Sequence, residues 1–229
     1  MKQELEIYIH IPFCVQKCAY CDFLSGPAGR EEQEAYVRAL RREISTASKM
    51  AEEYEVSTVF LGGGTPSILP PEAVDGILRT VRESFSLSPN AEITMELNPG
   101  TDGKEKMEAY RKAGINRLSI GLQSANDQEL HTLGRIHTWQ DFRNTYEAAR
   151  KAGFANINID LMSAIPGQTL KSYEKTLERV CSLCPEHISA YSLILEEGTL
   201  FWDWYEKTDH PKDHPPLPDE ATERQMYER

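Results

Sequence analysis

Cys14, Cys18 and Cys21 follow one another at x-x-x and x-x spacings just after a short apolar stretch, so one loop can present all three thiolates to one metal centre. A cubane iron–sulfur cluster normally takes one thiolate per iron. Three thiolates leave one iron open for a small molecule to coordinate, which makes the cluster a chemical tool rather than a staple. Zinc is the alternative, because Cys3His is a common structural set and His10 would complete it. His10, however, falls inside a predicted strand, whereas zinc knuckles usually draw on two well-separated clusters.

Other pointed residues stand where predicted strands end. A Gly62-Gly63-Gly64-Thr65-Pro66 turn offers backbone N–H groups to a ligand, although glycine also serves many purely structural turns. Glu96 either enters a site or caps the helix that follows. Asp160 lies within Ile157-Asn158-Ile159-Asp160-Leu161-Met162, where a carboxylate is costly unless paired, and that points to function. Gln123 and Arg135 are equally compatible with a surface helix, and Tyr191 ends the last strand. Cys181 and Cys184 share a helical stripe with Tyr173 and Leu177 and read as buried small hydrophobes rather than a second metal or redox pair.

The elements that must position these groups repeat as strand, loop, helix. Strands are predicted over residues 5–11, 56–61, 91–97, 116–121, 155–161 and 187–193. Between them, 3.6-period apolar stripes predict helices over about 31–54, through Val74, Ile77, Leu78, Val81 and Phe85, through Met107 and Tyr110 to Gly114, over 138–152, and over 170–184. Six β/α units imply a parallel sheet with right-handed crossovers. A barrel, or a large part of one, puts working groups at the C-terminal strand ends; a doubly wound sheet is the competing architecture.

The 36 acidic against 25 basic residues give a formal charge of −11, which disfavours nucleic acid or an anionic membrane surface as partner. No apolar run approaches the ~20 residues that cross a bilayer, and five cysteines with three clustered do not make a disulfide framework. Metal-holding thiolates imply a reducing compartment, hence the cytoplasm. Residues 201–205 read as an aromatic packing anchor between domains, residues 210–218 as a linker, and Asp219 as the N-cap of a helix whose first turns are 220–229 and which ends before it can bury a face. That division implies a core over residues 1–205 and, over 206–229, a linker and the start of an incomplete C-terminal domain.

Tyr8-Ile9-His10-Ile11-Pro12-Phe13-Cys14-x3-Cys18-x-Tyr20-Cys21, the Gly62–Pro66 turn, Asn158-Ile159-Asp160-Leu161 and Ile165-Pro166-Gly167 together resemble the radical S-adenosylmethionine (SAM) superfamily over about residues 5–200. The similarity is greatest to the oxygen-independent coproporphyrinogen III oxidase group. The resemblance implies an α/β fold, a partial TIM barrel of (β/α)6 type, followed here by a truncated C-terminal extension. It implies a [4Fe–4S] cluster on Cys14, Cys18 and Cys21, with SAM chelated to the open iron and cleaved by an electron from an external donor. It further implies Tyr8 and Tyr20 beside the cofactor, and Gly63, Gly64 and Thr65 at its methionine end. Glu96, Gln123, Arg135 and Asp160 would form the polar shell around methionine and ribose, with Ile194 against adenine. Oxidases of this group carry a longer N-terminal segment and a further cysteine two positions after the third, where this chain has Asp22-Phe23. Tyr20-Cys21-Asp22-Phe23 instead resembles the HemW-like haem chaperones, whose C-terminal region contributes haem binding. The implied partners are SAM, haem or a porphyrinogen, an electron donor and a haem-recipient protein, with haem held in a longer form.

Overall fold

The computed structural model describes residues 2–100, 103–207 and 214–229. Strands β1 (Gln3–Ile11), β2 (Tyr54–Gly63), β3 (Leu87–Leu97), β4 (Arg117–Gln123), β5 (Ile157–Ser163) and β6 (His187–Ser192) form one sheet in the order β1-β2-β3-β4-β5-β6. Every neighbouring pair is parallel. Helices α1 (Arg30–Ala47), α2 (Pro71–Ser84), α3 (Lys104–Ala113), α5 (Trp139–Lys151) and α6 (Leu170–Cys181) make the crossovers; short α4 (Asp127–Thr132) precedes α5, and α7 (Leu200–Tyr205) and α8 (Glu220–Tyr227) follow β6. A doubly wound sheet reverses direction part-way. Strictly sequential order instead curls the sheet one way, into an open half-barrel.

Alternation along each strand decides the two faces of the sheet. Ile9 and Ile11, Val59 and Leu61, Ile93 and Met95, Leu118 and Ile120, and Ile159 and Leu161 are buried in one core shared with Ile77, Leu78, Met107, Tyr110 and Phe142 of the helices. The opposite face carries Tyr8 and His10, Glu96, Ser119 and Gln123, Asn158 and Asp160, and Tyr191. A polar half-barrel interior thus opens at the strands' C-terminal ends.

The helix termini follow local chemistry. Thr138 with Asp141 and Thr169 with Ser172 form reciprocal capping boxes on α5 and α6, and α3 stops at Gly114, whose φ of 100° suits a residue without Cβ. Several boundaries differ from expectation. The first helix ends at Ala47 rather than 54, because Tyr54 must already pair with Gln3 in the sheet. The sixth helix ends at Cys181, and its buried stripe runs through Tyr173, Thr176 and Val180. Cys181 and Cys184 are therefore exposed rather than buried, and Cys184 takes a φ of 50° in the turn after the helix.

The aromatic segment 201–205 is α7, and it anchors the cysteine loop. Phe201 is fully buried in a second core with Ala19, Leu133, Met162 and Ile165. Its N–H donates to Ala19 O at 3.0 Å, while Ala19 N–H donates to Leu133 O at 3.1 Å. Residues 208–213 of the expected linker lie outside the described residues. Beyond them, His214 stacks on Trp204 at 3.9 Å and Pro216 O accepts from Gly167 N–H at 2.8 Å. Asp219 caps α8 as expected. Contrary to expectation, α8 does bury a face: Met226 is inaccessible and Arg229 pairs with Glu174 of α6 at 2.8 Å.

Candidate functional site at the mouth of the half-barrel

The loop between β1 and α1 carries Cys14, Cys18 and Cys21 as free, half-buried thiols. The glycine turn after β2 holds the start of that loop by continuing the strand ladder: Gly64 N–H donates to Ile11 O at 2.8 Å and Thr65 N–H to Phe13 O at 2.7 Å. Glycine at 64 is obligatory on steric grounds, since a Cβ there would stand 2.6 Å from Phe13 O and 2.9 Å from Ile11 O. The far side of the loop is tied by Ala19 to the second core. Two cysteine sulfurs accept hydrogen bonds, Cys14 Sγ from Thr65 Oγ1 at 3.5 Å and Cys18 Sγ from Arg135 Nη1 at 3.7 Å. Burial, followed by the neighbouring Cys18 and Cys14, raises the Cys21 thiol pKa, against the pull of the Phe23 N–H. Cationic irons would reverse that penalty, because a bound metal deprotonates its thiols outright.

The donor set fits an iron–sulfur cluster better than zinc. His10, the candidate fourth zinc ligand, is engaged at both ring nitrogens, with Tyr8 Oη at 3.2 Å and Leu24 O at 3.0 Å. Among the described residues no three His, Cys, Asp or Glu side chains surround a single-ion position. A cubane asks for something different, since each thiolate meets its own iron.

Polar groups from successive strands face this loop. Glu96 does not cap a helix; its Oε2 accepts from Gly63 N–H at 3.0 Å. Gly63 has a φ of 108° and sits against the His10 ring, leaving no room for a Cβ. Tyr8 stacks on Phe60 with centroids 6.0 Å apart, and burial and then the Glu96 charge raise its phenol pKa. Gln123 is buried with a φ of 71°, a left-handed conformation that costs a non-glycine residue roughly 1–2 kcal/mol. It accepts from Tyr191 Oη at 2.8 Å, and the Tyr191 phenol is pushed up to about 12 by burial and then by Asp160. Arg135 aims Nη2 at Asn98 Oδ1 (2.6 Å) and Gly121 O (2.7 Å). Beside it, burial and the Arg135 charge hold His137 neutral, lowering its pKa to about 3.

Asp160 accepts from Asn158 Nδ2 at 2.7 Å and from Ser119 Oγ at 3.1 Å. These bonds oppose the rise in its pKa that burial causes. Tyr20 packs toward Phe201 at 6.4 Å, and burial pushes its phenol far up despite the Arg135 charge. Ile194 stands apart, 67% exposed between Leu193 and Leu195, which pack on the second core. Sequence reasoning missed Asn98, Ser119 and Asn158. Two of these sit two residues from Glu96 or Asp160, so strand alternation placed them on the same inward face.

Glu96 gives a pH test. Burial, the Asp160 charge adding to it and the Gly63 N–H opposing it, raises its pKa from 4.5 to about 7. The folded state therefore keeps a proton that the unfolded chain releases near 4.5, so this group's contribution is full below 4.5 and lost as pH rises to about 7. In cluster-free protein, Glu96→Gln should raise the thermal midpoint over wild type near pH 8 and leave it nearly unchanged near pH 4.5. An equal difference at both pH values would contradict the shift.

The chain is 42% identical over 198 residues to the haem chaperone HemW of Escherichia coli, covering 86% of this chain and 52% of that protein. To the HemW of Bacillus subtilis it is 39% identical over 225 residues, covering 96% and 57%. To the zebrafish (Danio rerio) mitochondrial radical S-adenosyl methionine domain-containing protein 1 it is 38% identical over 196 residues, covering 86% and 44%. The chain thus spans about half the length of the curated relatives it matches. The coproporphyrinogen III oxidase HemN of Escherichia coli, described as a radical SAM enzyme, superposes with a TM-score of 0.87 at 27% identity, covering 99% of this chain and 51% of that one. Within the described residues no helix is long and apolar enough to cross a membrane. Membership of the family implies binding of a [4Fe–4S] cluster and SAM, and an electron donor. With residues 8–180 matching its family pattern, and the half-barrel and three-cysteine loop in place, the chain belongs to the radical SAM superfamily.

Proposed function

We propose that Cys14, Cys18 and Cys21 hold the [4Fe–4S] cluster and leave one iron for the amino and carboxylate groups of SAM. The observation carrying this reading is the pairing of three free thiols on one loop with side-chain donors to two of their sulfurs. When bound, the cluster supplies the electron that splits a carbon–sulfur bond of SAM. The chain's own residues do the positioning. Gly63, Gly64 and Thr65 would meet the methionine end of SAM. Glu96, Gln123, Arg135 and Asp160 would hold methionine and ribose, Tyr8 and Tyr20 would flank the cofactor, and the exposed Ile194 would offer adenine an apolar contact. Cluster-bearing thiolates require a reducing compartment, in keeping with the cytoplasm.

For the whole protein we infer haem handling: capture of haem and its delivery to a recipient protein, with residues 1–205 acting as the cluster- and SAM-binding core. Support comes from 37–42% identity to bacterial relatives named haem chaperones. A second reading, radical decarboxylation of coproporphyrinogen III, is favoured by the backbone likeness to HemN. Anaerobic reconstitution, followed by iron, sulfide, SAM-binding and haem-binding measurements on this chain and on a C-terminally extended one, tests both. The chaperone reading expects a cluster and SAM binding in both chains, tight haem in the extended one, and no protoporphyrinogen from coproporphyrinogen. Product formation by the extended chain would overturn it. Asp160→Ala should retain the cluster and lose about 10- to 100-fold in SAM affinity, the equivalent of roughly 1.5–3 kcal/mol for a charged hydrogen bond. Unchanged affinity would remove Asp160 from the site.

A further inference from the structure

Asn98 follows β3 directly, on the same inward face as Thr94 and Glu96, and its amide joins side chains from two other segments. Its Nδ2 donates to Thr65 Oγ1 at 2.8 Å, and its Oδ1 accepts from Arg135 Nη2 at 2.6 Å. The amide cannot be turned over, because a guanidinium carries donors only and would face an NH2 group. That orientation settles the next bond on each side. Thr65 Oγ1 receives the amide proton on a lone pair, which leaves its single O–H for Cys14 Sγ at 3.5 Å. Arg135, with Nη2 held between Asn98 and Gly121 O, turns Nη1 to Cys18 Sγ at 3.7 Å. An unbroken chain therefore runs Cys14–Thr65–Asn98–Arg135–Cys18. Gly121 makes room for it: a Cβ there would lie 2.9 Å from Asn98 Oδ1 and 3.2 Å from Arg135 Nη2.

We propose that Asn98 is a positioning residue that aims the Thr65 hydroxyl at Cys14 and the Arg135 guanidinium at Cys18, and so raises the electron affinity of the cluster; this rests on the cluster reading above. Hydrogen bonds to cluster sulfurs stabilise the added negative charge of the reduced state, and such outer partners tune potential without touching iron. A merely structural Asn98, tying the β2 turn to β3, would affect stability and leave the potential alone.

The test is a double-mutant cycle on anaerobically reconstituted protein, with iron and sulfide content, midpoint potential by spectroscopic titration, and thermal midpoint as readouts. Wild type, Asn98→Ala, Thr65→Val and the double variant should all hold cluster. Asn98→Ala should make reduction about tenfold less favourable, about 59 mV for one electron, and the double variant should lose less than the sum of the single changes. Should Asn98→Ala fail to fold or to hold cluster, Asn98→Asp replaces it. It keeps an acceptor for Arg135 but draws the Thr65 O–H away from Cys14; its extra charge lowers the potential in the Thr65 and Thr65→Val backgrounds alike, so the difference between the two isolates the loss of the Thr65 bond. A wild-type potential in Asn98→Ala, or full additivity in the cycle, would overturn the inference while leaving the cluster reading intact. Absence of cluster from wild type would overturn both.

Discussion

Cys18→Ala is expected to strip the protein of its cluster, with iron, sulfide and visible absorption falling essentially to the apo level after anaerobic reconstitution. Two thiolates remain in that variant, so two irons of a cubane have no protein ligand and nothing holds it against dissociation. The Arg135 N–H that reaches Cys18 Sγ loses its acceptor as well. The fold should persist. Cys18 lies outside both apolar cores, and the backbone bond from Ala19 N–H to Leu133 O that fixes this part of the loop does not involve its side chain. A change within about 0.5 kcal/mol in the stability of the apo-protein follows, as for other substitutions away from packed positions. Circular dichroism and urea unfolding of apo wild type and variant check the second half. Retention of iron and sulfide at wild-type levels would dismiss Cys18 as a ligand.

Phe201→Ala should have the largest effect on stability among the residues that support the site. The ring is fully buried in a small core made with Ala19, Leu133, Met162 and Ile165, and Trp204 and Tyr205 pack around it. Removing a buried phenylalanine costs about 3–5 kcal/mol, the lost transfer energy plus the cavity left behind. That is a large part of the ~5–15 kcal/mol by which a typical domain is stable. The functional consequence follows from position, because Ala19 sits between Cys18 and Cys21 and its carbonyl accepts from Phe201 N–H. With the ring gone, the half of the loop that carries Cys18 and Cys21 loses its packing support. The reconstituted variant should release iron faster than wild type while Cys14, held by the Gly64–Thr65 ladder, stays in place. Equal stability in urea and equal iron retention would show that α7 does not support the loop.

Much of this site is legible from residue order because parallel β/α units bring strand ends together whatever the intervening helices contain. The cysteine spacing, the glycine turn, Glu96, Gln123 and Asp160 each stand at or near a strand end, and the topology gathers them at one mouth. Arg135 carries no local signal, since its sequence neighbourhood reads as a surface helix. Its value depends on Asn98, Gly121 and Cys18, which lie up to 117 positions away. Cys181 and Cys184 illustrate the opposite error. Cys181, the last residue of α6, falls one position past the buried Tyr173–Thr176–Val180 stripe, and Cys184 lies in the turn beyond the helix.

Residue order alone determined the alternation of apolar strands with amphipathic helices, hence a parallel sheet, and the three-thiolate loop after its first strand; the sequential strand order, against a doubly wound one, came from the tertiary structure. These are local properties, set by side-chain period and by spacing within a few residues. Tertiary structure alone decided which polar groups meet the sulfurs: Thr65 on Cys14, Arg135 on Cys18, and Asn98 holding both. It also decided that α7 packs beneath the cysteine loop and that α8 buries Met226 against the barrel. Hydrogen bonds and packing between segments far apart in the chain depend on strand register and barrel curvature, and no local pattern carries either.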